Sequence, residues 1–151
     1  MAPNAVERLN QLLTNDMTLL ELGSGSSTAW FAARVGRVVS IEPNADWARR
    51  TSESLRGLGN VTIISESIAA ALPSAEPSNV VIVDHNDEAA MTRVDALAIV
   101  VDFADIIVLD DSDRKEYAQS DEITADWNCE RYVGFRPRPL IPTETTIFIR
   151  A

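Results

Sequence analysis

A chain of 151 residues with 46% hydrophobic side chains can bury one continuous core, and residues 1–151 are expected to form a single domain with no room for a separate substrate-binding one. A formal charge of -10, with Lys115 the sole lysine, argues against nucleic acid and acidic membranes as partners, because Lys and Arg must neutralise their phosphates. Cys129 has no second cysteine to pair with, and no secretory or long apolar segment is visible, so a reducing, cytoplasmic setting is expected.

Asn4 followed by Glu7 reads as a capping box, and Leu9, Leu12 and Leu13 form the apolar stripe of a short opening helix. Met17 to Leu22 is an apolar strand closed by Gly23-Ser24-Gly25, after which Trp30, Phe31 and Ala33 give Ser26 to Arg34 helical spacing. Arg37 to Ile41 reads as a second strand, and Pro43-Asn44 opens a helix that ends near Gly57. Strands follow at Val61–Ile64, Val80–Asp84 and Ile106–Asp110, separated by a short Ala-rich turn around Ile68 to Leu72 and a longer helix from Glu88 to Val100. Such alternation implies a parallel, doubly wound sheet, and Val80-Val81-Ile82-Val83 suits a strand covered on both faces. Asp111-Ser112-Asp113 looks like a helix start. Arg131 to Phe135 and Thr145 to Arg150 then read as an antiparallel hairpin around a loop from Pro137 to Pro142.

The chemistry concentrates at the first strand-to-helix turn. In Glu21-Leu22-Gly23-Ser24-Gly25-Ser26-Ser27-Thr28 the glycines let the backbone approach a ligand. Glu42, at the end of the second strand, is placed to accept both hydroxyls of a ribose. Dinucleotide and S-adenosylmethionine (SAM) sites share this arrangement. Three features favour SAM: Thr28 stands where a dinucleotide site wants its third glycine, Glu21 offers a carboxylate toward the ligand's amino group, and a closing hairpin is foreign to dinucleotide folds.

From Met17 to Ile149 the chain resembles the class I SAM-dependent methyltransferases, through Leu20-Glu21-Leu22-Gly23-Ser24-Gly25, Val39-Ser40-Ile41-Glu42-Pro43, Val80-Val81-Ile82-Val83-Asp84 and the hairpin. The resemblance implies a three-layer, Rossmann-like α/β fold whose mostly parallel seven-stranded sheet ends in an antiparallel C-terminal hairpin. It also implies a SAM site at Glu21, Gly23, Ser24, Gly25, Ser27, Thr28, Glu42 and Pro43, with Ser67 and Ile68 toward adenine and Asp84 at the methyl-transfer point. A narrower likeness to cation-dependent, catechol-type O-methyltransferases rests on Asp84-His85 and Asp110-Asp111, and implies Mg²⁺ held by Asp84, Asp110 and Asp111. That family's basic residue after the Asp-His pair is replaced by Asn86-Asp87, which leaves Asp84, His85 or water as the proton acceptor.

Arg114, Tyr117, Trp127, Arg136 and Arg138 are expected to rim the acceptor pocket, while Trp30 and Trp47 read as core or core-edge. The resulting expectation is methyl transfer to a hydroxyl, or less readily an amine, of a small-molecule acceptor. A catalytically silent SAM-binding scaffold and an NAD-binding oxidoreductase are the rivals. The sequence leaves the oligomeric state open, a homodimer included.

Overall fold

The structure of the chain, a computed structural model, describes residues 1–137 and 140–151, with the side chains of Arg136 and Pro137 also left aside. The expected rim residue Arg138 and the side chain of Arg136 therefore lie outside the described residues. In chain order the elements are α1 (Pro3–Leu12), β1 (Thr18–Leu22), α2 (Ser26–Ala32), β2 (Arg37–Ile41), α3 (Ala45–Ser54), β3 (Val61–Ile64) and α4 (Ile68–Ala71). There follow β4 (Val80–Val83), α5 (Arg93–Val100), β5 (Ile106–Asp110), α6 (Ser120–Ile123), β6 (Asn128–Pro137) and β7 (Leu140–Ile149), with 3₁₀ turns at Leu72–Ser74 and Lys115–Tyr117.

The strands form one seven-stranded sheet in the order β3-β2-β1-β4-β5-β7-β6. All neighbours run parallel except β7, which is antiparallel to both β5 and β6. The order reverses between β1 and β4, the kind of switch point where open α/β sheets bind ligands at the C-terminal ends of their strands. Among the described residues no helix is long and apolar enough to cross a membrane.

The period-two geometry of each strand divides its side chains between two cores, one on each face of the sheet. Leu20, Leu22, Val81, Val83, Ile107, Leu109 and Phe148 pack on one face with Ala96, Leu97 and Val100 of α5. Leu19, Val80, Ile82, Val108 and Ile147 pack on the other with Ala5 and Leu9 of α1 and Phe31 of α2. Strands buried on both sides need continuous apolar runs, and β4 and β5 have them.

Several element boundaries depart from the expected ones. Helix α1 starts at Pro3, whose missing N–H costs nothing there, and Asn4 lies inside it rather than capping it. Helix α5 starts at Arg93, where Thr92 and Asp95 form a reciprocal capping box, and not at Glu88. Glu88 and Met91 instead exchange backbone hydrogen bonds, so residues 84–92 make a loop along the end of the sheet. No helix begins at Asp111: its φ is 53° and the Ser112 N–H donates to the Glu144 carbonyl of β7.

The hairpin is longer than its sequence implied, since the strands zip from Asn128–Ile149 up to Pro137–Leu140. Pro137 and Pro142 are accommodated because this part of the ribbon lies beyond β5.

Candidate active site

The C-terminal ends of β1, β2 and β4 enclose a cleft of about 540 Å³, lined by Gly23 to Ser27, Glu42 to Asn44, Trp47 and Asp84 to Glu88. Its volume suits a small-molecule or cofactor site. A separate apolar crevice of about 250 Å³, near Leu20, Val39, Ile41 and Ile64, contains none of the candidate residues.

The turn after β1 is built to let backbone meet backbone. Gly23 has φ 96°, and a Cβ placed on it would stand 2.9 Å from the His85 Cα, so only glycine fits where the β1 and β4 ends touch. Glu42 holds the other side. Its Oε2 accepts from the Ser24 N–H at 2.9 Å and its Oε1 from the Asn44 N–H at 2.9 Å, which fixes a largely buried carboxylate at the cleft wall. The Trp47 indole N–H donates to the Ser24 carbonyl at 2.7 Å, and the residue, 48% exposed, lines the cleft. Trp47 is thus a cleft residue, not the core-edge residue its helical spacing suggested; Trp30 does pack against the core, with the Arg34 guanidinium 3.7 Å from its ring centre.

Glu21 does not reach the cleft as expected. Its carboxylate is buried behind the turn, accepting from the hydroxyls of Ser27 and Thr28 at 2.6 Å each and Ser40 at 2.7 Å, and burial pushes its pKa up. Thr28 also accepts from the Gly25 N–H at 3.0 Å, so Glu21, Ser27 and Thr28 brace the glycine turn from within. Ser27 alone of the three lines the cleft. Ser67 and Ile68 do not line it either. Ser67 caps α4 through the Ala70 N–H, and the Ile68 N–H donates to Glu88, which is a cleft residue.

Asp84 is the carboxylate at the cleft floor, with 39% of its side chain exposed. Its pKa is raised to about 6, first by burial and then by the neighbouring charge of Asp110, while Arg93 pulls the other way. His85 is placed quite differently. Only 1% of it is exposed, and neither ring nitrogen has a partner within normal hydrogen-bonding distance among the described residues. Burial and then the charge of Arg93 lower its pKa to about 4. The expectation of a titrating base near neutrality at His85 is corrected accordingly: the imidazole is neutral and almost wholly buried.

Nor do Asp84, Asp110 and Asp111 assemble as metal ligands. Asp110 accepts from the Thr145 hydroxyl at 2.6 Å and pairs with the Met1 amino group at 2.8 Å. Asp111 accepts from the Thr143 hydroxyl at 3.0 Å and pairs with Arg114. Among the described residues no group of three or more carboxylate, His or Cys side chains is arranged to hold a metal. The antiparallel return of β7 is the cause, since it brings threonines against both carboxylates. The donor set does not fit Mg²⁺.

The expected rim also changes. Tyr117 is buried, donating its hydroxyl to Asp87 at 2.9 Å, and Trp127 packs against the core with Arg150 over its ring. A residue not singled out from sequence takes the central structural place. The buried guanidinium of Arg93 donates to the carbonyls of His85 and Asp110, both at 2.6 Å, and to that of Asp84 at 3.2 Å, and it lies 3.2 Å from the Asp84 carboxylate. An arginine opening α5, whose later residues Ala96 to Val100 are all apolar, was the signal for it.

Comparison with known proteins bears on the fold. An rRNA methylase from Streptococcus thermophilus superimposes with a TM-score of 0.76 at 16% identity, over 98% of this chain and 95% of that one. The chain shares a methyltransferase fold. A precorrin 8w decarboxylase from Methanobacterium thermoautotrophicum has the same fold, with a TM-score of 0.74 at 19% identity over 100% of this chain and 91% of that one. So has a Streptococcus mutans protein in complex with S-adenosylhomocysteine (SAH), with a TM-score of 0.72 at 14% identity over 97% and 96% of the two chains. No protein-family model matches the chain, and no curated protein matches it in sequence. Within the methyltransferase fold, the cleft described above lies at the sheet's switch point.

Proposed function

We propose that the chain binds SAM in this cleft and transfers its methyl group to an oxygen of a small-molecule acceptor. The observation that carries the reading is the charge of the cleft: Glu42, Asp84, Asp87 and Glu88 line it, and among the described residues no lysine or arginine does. SAM brings a sulfonium and an ammonium, which such a wall favours, whereas the pyrophosphate of NAD would face four carboxylates with no cation to meet it. The same charge disfavours a polyanionic acceptor such as RNA. The SAH bound by the S. mutans neighbour supports the cofactor, and the glycine turn with Glu42 supplies the residues to hold it.

In this reading Gly23 to Ser27 and Pro43 line the ligand, and Glu42 accepts from its ribose hydroxyls. SAM itself supplies a methyl group made electrophilic by the sulfonium. The chain's own residues position the acceptor and receive its proton. Asp84 is exposed to the cleft, and its raised pKa leaves it ionised at neutral pH yet a stronger base than an ordinary aspartate. Arg93 fixes where that carboxylate sits.

Calorimetric titration of the dialysed protein with SAH and, separately, with NAD tests the cofactor. Micromolar SAH binding is expected, weakened roughly tenfold or more by Glu42→Ala, because a charged hydrogen-bond acceptor contributes about 1.5–3 kcal/mol. Binding of NAD alone, or of neither ligand, would sink the reading.

A further inference from the structure

Two side chains of α3 are left unspent beside the cleft. Elsewhere the chain engages such groups with one another: Trp30 meets Phe31 edge-on with Arg34 over its face, Trp127 lies under Arg150, and Arg49 pairs with Asp46 and Glu53. Trp47 is 48% exposed, and among the described residues no ring or guanidinium stacks on it. Arg50 is exposed and has no hydrogen-bond or ion-pair partner among them.

Helical spacing joins the two. Trp47, Arg50 and Ser54 follow one another at three and four residues, so they share one face of α3. That face borders a groove of about 460 Å³, across which stand Gly25, Ser26 and Ala29 at the start of α2, and the buried Thr51 and Leu55 complete its lining. The groove meets the cleft at Gly25, Ser26 and Trp47, which line both.

The two hollows differ in charge. Four carboxylates line the cleft, whereas Arg50 is the sole charged residue on the groove among the described residues. A groove with one cation and no carboxylate favours an anion, and the planar fork of a guanidinium matches a carboxylate group. A single exposed ion pair contributes little in water, so the charge alone would not hold a ligand. Ala29, Leu55 and the Trp47 ring supply apolar contact for a flat ring. The bond from the Trp47 indole N–H to the Ser24 carbonyl already fixes that side chain, so stacking on it costs little further ordering.

We propose that the groove between α2 and α3 is a binding site for an aromatic carboxylate, with the ring against Trp47 and the carboxylate on the Arg50 guanidinium. It is separate from the cleft and does not depend on the cofactor or the reaction.

Nuclear magnetic resonance titration of the nitrogen-labelled full chain with naphthoate, and with its neutral isostere naphthamide, is the test. Naphthoate is expected to shift the Trp47 indole N–H and the amides of Ala29 and Ser54 saturably, with a dissociation constant of about 1 mM or below, as ordinary ligand efficiency gives for a compound of that size. Naphthamide is expected to bind about fivefold more weakly, the most that an exposed charge pair contributes. Arg50→Gln, an exposed substitution, is expected to bring naphthoate down to the naphthamide level and to leave naphthamide unchanged. Trp47→Leu is expected to abolish saturable binding of both. Equal binding of the two compounds, naphthoate binding that Arg50→Gln leaves intact, shifts confined to Asp84 to Glu88, or no saturable shift at all would each overturn the proposal.

Discussion

Asp84 and His85 are adjacent, yet burial moves their titrations in opposite directions, and the side chain that is almost wholly buried is the one a neutral-pH argument would choose. Their type and position after a strand end were legible in the sequence; which of them stays exposed was not, because that depends on what packs against the end of β4. The Asp84 carboxyl holds its proton more tightly in the folded chain, at about 6 against an ordinary 3.8. Its ionisation thus lowers stability: the favourable proton binding is fully present below 3.8 and lost as pH rises through about 6. Asp84→Asn is therefore expected to raise the melting temperature relative to the parent at about pH 7.5, with the gap closing toward about pH 4. Calorimetric melts across that range check it, and a gap that widens toward acid would reverse the sign assigned to Asp84.

Among the elements, α5 shows how one side chain can hold a site together. Its start was expected at Glu88. The bridge between Glu88 and Met91 and the capping box at Thr92 delay it to Arg93, which leaves the loop with Asp84 to Glu88 free to line the cleft. Arg93 then ties that loop to the end of β5 through three carbonyls. Arg93→Met keeps much of the volume but strands those acceptors and the Asp84 charge. It is expected to cost about 3 to 5 kcal/mol in urea unfolding and to weaken SAH binding by displacing the loop. An unchanged unfolding midpoint would show that the carbonyls find other partners. The glycine turn, by contrast, could be placed from sequence, because Gly23 meets a local backbone demand that few residues satisfy.

At the scale of the molecule, both cores share one sheet, and the C-terminal hairpin contributes to each: Phe148 packs on one face and Ile147 on the other. The hairpin is for that reason expected to unfold with the sheet. Phe148→Ala should lower stability by about 3 to 5 kcal/mol in a single urea transition, whereas two separated transitions would mean that the hairpin melts independently. The alternation of strands and helices, the parallel core strands, the antiparallel return, Glu42 and the glycine turn were all decided by the sequence, since periodicity and turn chemistry are local and repeat along the chain. The engaged states of Asp110 and Asp111, the retreat of Glu21 behind its hydroxyls, the place of Trp47 in the cleft lining and the central place of Arg93 were decided only by the tertiary structure. Each depends on which distant strand or helix supplies the nearest donor or covers the nearest face, and that is a property of the packing rather than of neighbours in sequence.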